Sequence, residues 1–157
     1  MTSQPVPVPF FSQPFSGPLK MNASNNPNPD KLAVVLIAHG SRNADANADA
    51  FYFADQLRAA AVAHHVEAAF LELAEPGIAT AVNRCLQTLP NVVALLPYFL
   101  SAGVHVKRDL AEMCRQFEES HPEVRFILAE PFGRHDLLTS VLAQRLHEAL
   151  ASCSVKS

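Results

Sequence analysis

The stretch AVVLIAHGSRN, residues 33–43, decides the fold. With Leu32 in front, the run LAVVLIA (32–38) is apolar at consecutive positions instead of alternate ones, the pattern of a strand buried on both faces in a helix-covered parallel sheet. It ends abruptly in His39, Gly40, Ser41 and Arg42. An imidazole, a flexible turn residue, a hydroxyl and a guanidinium at the carboxyl end of a strand stand where open α/β sheets bind their ligands.

Outward from this strand the alternation continues. VEAAFLEL (66–73), NVVALLP (91–97) and VRFILA (124–129) are further strand-sized apolar runs. Between and after them, apolar residues recur every three or four positions. The sets are Phe51, Ala54, Leu57 and Ala61; Ile78, Val82, Cys85, Leu86 and Leu89; Val106, Leu110, Met113 and Phe117; and Leu138, Val141, Leu142, Leu146 and Ala149. Each set predicts one helix with a single core-facing stripe. Gly40, Gly77, Gly103 and Gly133 each follow a strand, where a turn calls for positive backbone angles or close backbone approach. Four strand–helix pairs with right-handed crossovers give a doubly wound α/β fold, a four-stranded parallel sheet with helices on both faces.

Composition bounds the function classes. The 157 residues, 49% of them hydrophobic, suffice for one core-bearing domain, read here as residues 31–157. A net charge of −3 argues against a nucleic-acid partner, which demands clustered Lys and Arg. No apolar run reaches the roughly 20 residues of a membrane span. Three widely spaced cysteines, Cys85, Cys114 and Cys153, include no C-x-x-C pair and suit reduced thiols, so the expectation is a soluble cytoplasmic protein without a membrane partner. Residues 1–30 hold seven of the twelve prolines and only two charged side chains, Lys20 and Asp30, which predicts a disordered Pro-rich tail.

The chemistry concentrates at strand ends. His39 follows the first strand, Glu72 closes the second, on the face of Val66, Ala68 and Phe70, and His105 follows the third in SAGVHVKR (101–108). Two imidazoles and a carboxylate form a nitrogen and oxygen donor set that suits a divalent transition metal with open positions. Ser41 could orient a ligand or a water, and Arg42, Lys107 and Arg108 could meet substrate carboxylates. His135, after the fourth strand, is a supporting candidate at the same rim. His64 and His65 read as surface residues at the end of the first helix. No phosphate-binding glycine loop and no G-x-S-x-G elbow occurs.

The strings AHGSRN, AFLELAEP, LLPYFLSAGVHVKRDL and HPEVRFILAEPFGRHDLL together resemble the small sirohydrochlorin chelatases of the CbiX and SirB type, over about residues 32–150. The resemblance implies ATP-independent insertion of cobalt, iron or nickel, as a substrate and with no permanently bound cofactor, into the tetrapyrrole sirohydrochlorin or a relative. It implies His39 and His105 as metal-binding histidines, Glu72 as the acidic ligand, and a homodimer. Val104 stands where glycine is frequent in that family, which is expected to adjust the loop and leave the ligand. Two rival readings stand beside it: a non-catalytic metal or tetrapyrrole carrier on the same scaffold, and a histidine-type phosphatase. Against the phosphatase, Ala38 occupies the place where such enzymes carry an arginine before the histidine.

Overall fold

The computed structural model describes residues 31–133 and 135–154. The tail expected over residues 1–30 lies outside the described residues. Strands β1 (Leu32–Ala38), β2 (His65–Phe70), β3 (Val92–Pro97) and β4 (Arg125–Leu128) alternate with helices α1 (Ala44–Ala59), α2 (Ile78–Leu86), α3 (Val104–Ser120) and α4 (Asp136–Ser154). All strand pairs are parallel, in the order β2-β1-β3-β4. The α/β class and the doubly wound parallel sheet are therefore as expected.

Register explains the two cores. On one face Ala33, Val35 and Ile37 of β1 stand level with Val93 and Leu95 of β3, and with Phe126 of β4 they are buried under Ile78, Ala81, Val82 and Cys85 of α2 and Leu110 and Cys114 of α3. On the other face Leu32, Val34 and Leu36 join Val66, Ala68 and Phe70 of β2 under Ala50 and Ala54 of α1. Consecutive apolar residues in β1 are thus consumed by two separate layers, each large side chain contributing roughly 1.5–3 kcal/mol of burial.

Several boundaries differ from the sequence reading, for physical reasons. The second strand was expected through Leu73, but it ends at Phe70, whose amide donates to the Pro76 carbonyl, and Leu73 takes a positive φ of 63°. Glu72 is therefore an exposed bend residue and does not continue the buried face of Phe70. In α1 the buried residues are Ala50 and Ala54; Phe51 is exposed, and Ala61 lies beyond the helix with a φ of 51°. Small alanines allow α1 to lie close to the sheet, and the Phe51 ring sits at the edge of the contact, 5.5 Å from the ring of Phe70. His64 and His65 follow this helix instead of ending it: His65 begins β2, where its Nε2 pairs with Glu67 Oε1 at 2.9 Å. Among the four glycines only Gly40 has a positive φ, 91°. Gly77 and Gly103 are extended helix caps, with φ of −70° and −60°. The stripe of α4 is not buried: Val141, Leu142 and Leu146 are 51%, 71% and 60% exposed.

Candidate active site at the carboxyl rim of the sheet

Three adjacent strands deliver the predicted residues to one edge, in the spatial order β2, β1, β3. Beyond β1 and β2 the pairing continues through two backbone bonds, Leu71 N to Ala38 O at 2.9 Å and Glu72 N to His39 O at 3.1 Å. These bonds hold Glu72 directly beside His39. Gly40 is what permits the approach: a β-carbon there would stand 1.8 Å from the Glu72 carbonyl oxygen, in a backbone conformation that side chains resist. Both His39 and Glu72 are exposed.

The His39 ring packs on Phe99, with centroids 4.8 Å apart and planes tilted by 33°. Phe99 was not anticipated as part of the site. Its signal was parity, since it shares the face of Leu95 and Pro97, four and two residues earlier, and stays buried at the strand's end. His105 is the second residue of α3, one strand further along, and is exposed. Gly103 caps that helix without a side-chain hydrogen bond, and no acidic residue occupies the first turn, so the rim there carries the positive end of the helix dipole.

The supporting residues divide. Arg42 is exposed and has no ion pair among the described residues. Lys107 Nζ lies 3.3 Å from Glu130 Oε2, and Arg108 Nε 3.6 Å from Asp109 Oδ1, both exposed pairs of small energetic weight. The Ser41 hydroxyl accepts from the Asn43 amide at 3.1 Å, and its carbonyl accepts from Asn47 Nδ2 at 2.8 Å, so it shapes the turn into α1. His135 Nδ1 accepts from the Leu137 amide at 3.2 Å, a cap on the start of α4.

Among the described residues no three His, Cys, Asp or Glu side chains close around one ion. His39, Glu72 and His105 instead stand open on neighbouring loops, framed by exposed Leu73, Leu100 and Val104. An open nitrogen and oxygen rim with apolar flanks suits a flat, partly apolar ligand better than a caged ion.

The CbiX family model matches residues 33–149. The chain belongs to the CbiX family. It is 36% identical over 121 residues to a sirohydrochlorin cobaltochelatase of Priestia megaterium, an alignment spanning 77% of this chain and 39% of that one. It is 30% identical to a sirohydrochlorin cobaltochelatase of Sulfurisphaera tokodaii, over 76% of this chain and 94% of that protein. Among solved structures it is similar to the sirohydrochlorin chelatase SirB from Bacillus subtilis subspecies spizizenii in complex with cobalt, with a TM-score of 0.69 and 28% identity over 75% of this chain and 50% of that one. The chain spans about half the length of several curated relatives it matches. Family membership removes the histidine-type phosphatase reading. No helix of the described residues is long and apolar enough to cross a membrane.

Proposed function

We propose that this protein inserts a divalent metal, cobalt, iron or nickel, into sirohydrochlorin or a close tetrapyrrole relative. The observation that supports the reading is the backbone bond from Glu72 N to His39 O, together with the place of His105 at the start of α3 after the neighbouring strand β3. Sirohydrochlorin chelatases among the relatives support the choice of substrate.

The chemistry follows from the donor set. Metal insertion exchanges a divalent ion for two pyrrole protons, so the site must release an ion and accept protons. Neutral imidazole and carboxylate bind first-row divalent ions without the hold of a thiolate cage, and the same groups are bases. Glu72 receives the incoming ion, His39 and His105 flank the ring and take its protons, and Phe99 holds the His39 ring in place. Arg42, Lys107 and Arg108 meet the peripheral carboxylates of the macrocycle, while Leu73, Leu100 and Val104 cover its apolar face.

A rim open on one side calls for a second wall, and a homodimer supplies it. The relatives that are about twice as long support this arrangement, because one of their chains has room for two such units. Three thiols without disulfides, Cys85, Cys114 and Cys153, suit a reducing cytoplasm. The test is the absorption spectrum of sirohydrochlorin mixed with Co2+, Fe2+ or Ni2+, with and without substoichiometric protein. Many turnovers per chain with at least one metal are expected. A rate equal to the protein-free control, or a single turnover per chain as for a carrier, overturns the proposal.

A further inference from the structure

The sheet is covered unevenly. The face under α2 and α3 is buried across β1, β3 and β4. On the opposite face burial fades from one edge to the other: Val66, Ala68 and Phe70 of β2 and Leu32, Val34 and Leu36 of β1 are buried beneath α1. Their neighbours in register, Val92, Ala94 and Leu96 of β3 and Ile127 of β4, are only half-buried. Among the described residues, no helix covers this apolar half-sheet as fully as α1 covers β1 and β2.

Helix α4 has the reciprocal property. Its 19 residues reach about 28 Å at 1.5 Å per residue, enough to cross the sheet along its strands. Leu138, Val141, Leu142, Leu146 and Ala149 fall on one side of it, yet Val141, Leu142 and Leu146 are more than half exposed. The turn that launches α4 is built to shape. Gly133 lies so near the Leu100 carbonyl that a β-carbon would stand 2.6 Å from that oxygen, and His135 caps the first turn. An apolar helix stripe left exposed on its own chain is an arrangement that exchange between identical chains can satisfy.

We infer that α4 of each protomer packs on the partly covered β3–β4 face of a second copy, so that two chains exchange their last helices. One exposed helix stripe and one partly covered half-sheet per chain match one for one, and a twofold pair satisfies both at once. The exchange rests on the homodimer reading given above and adds to it which surfaces meet. It also ties the site to the partner, since the exchanged helix begins at the His135 turn, beside Leu100 of the rim.

The test uses the full chain with p-benzoylphenylalanine in place of Leu142, an exposed position with room for the probe. Protein with natural isotopes is mixed with 15N-labelled protein, unfolded together, refolded and irradiated. The expected product is a covalent dimer joining residue 142 of one isotope to a peptide containing Ala94, Leu96 or Ile127 of the other. A link from residue 142 to the same chain, to residues 1–30, or to any other surface overturns the exchange, as does a dimer that yields no link between copies. Sedimentation of the wild-type chain separates the two readings: a monomer removes the homodimer and the exchange together, while a dimer linked elsewhere removes the exchange alone.

Discussion

At the residue scale, one glycine and three polar side chains carry the proposed site. Gly40 is the position least open to change, because both its positive φ and its contact with the Glu72 carbonyl exclude a side chain. Gly40→Ala is expected to destabilise the fold by about 2 kcal/mol or more, read from urea unfolding, and to displace Glu72 from His39. The replacements His39→Ala, His105→Ala and Glu72→Gln touch exposed side chains with no hydrogen-bonded partner among the described residues, so thermal melting is expected to shift little. Each is expected to slow metal insertion about 100-fold or more, the usual scale for losing a positioned base; near-normal rates in all three would remove the proposed donor set. His39 was legible in the sequence because a polar residue ending a fully apolar strand has few reasons to be there. Ser41 and His135 follow β1 and β4, and their bonds to Asn43 and Leu137 are local backbone caps, which residue type alone does not separate from ligand contacts.

At the scale of elements, β1 was readable to the residue, because both of its faces are buried and its ends are marked by a sharp change in polarity. β2 was not. Its apolar run continues through Leu71 and Leu73, and only the long-range bonds of Leu71 and Glu72 to the β1 loop show where the strand turns away. α1 was half-legible: Asn43 caps it by accepting from the Asp45 amide at 3.1 Å, but its alanine-rich start hid the first two turns from a search for large apolar residues. Asn43→Ala is expected to cost about 1 kcal/mol in urea unfolding, as for other lost caps. α2 offers a pH prediction. Burial beneath the sheet, with a smaller push from Glu67, raises the Cys85 thiol from 9.0 to about 12. The folded chain therefore keeps the proton that the unfolded chain releases above pH 9. Stability is expected to be insensitive to this group below pH 9 and to fall above it by up to about 1.4 kcal/mol per pH unit until the folded thiol itself ionises. Urea midpoints taken from pH 8 to about pH 10.5 check this, and Cys85→Ala is expected to flatten the slope.

At the scale of the whole molecule, periodicity predicted that α4 would have a covered face and was silent about which chain covers it, since a hydrophobic stripe records the fact of burial and not its source. Adjacent residues of β3 turn that ambiguity into a measurement. Leu95 is fully buried under α2 and α3, whereas Leu96 faces the half-sheet that α1 covers only in part. Leu95→Ala is expected to cost about 2–5 kcal/mol through lost burial and a residual cavity, by the same amount at every protein concentration. Leu96→Ala removes the same atoms from a position that one chain leaves half-open, so in dilute protein its cost is expected to be less than half as large. If a second copy covers that face, mass action adds the missing burial as concentration rises, and the Leu96→Ala penalty grows between roughly 1 and 100 µM while the Leu95→Ala penalty stays fixed. Urea unfolding of both variants at the two concentrations decides the matter: parallel, concentration-independent penalties would mean that the half-sheet stays half-open in solution.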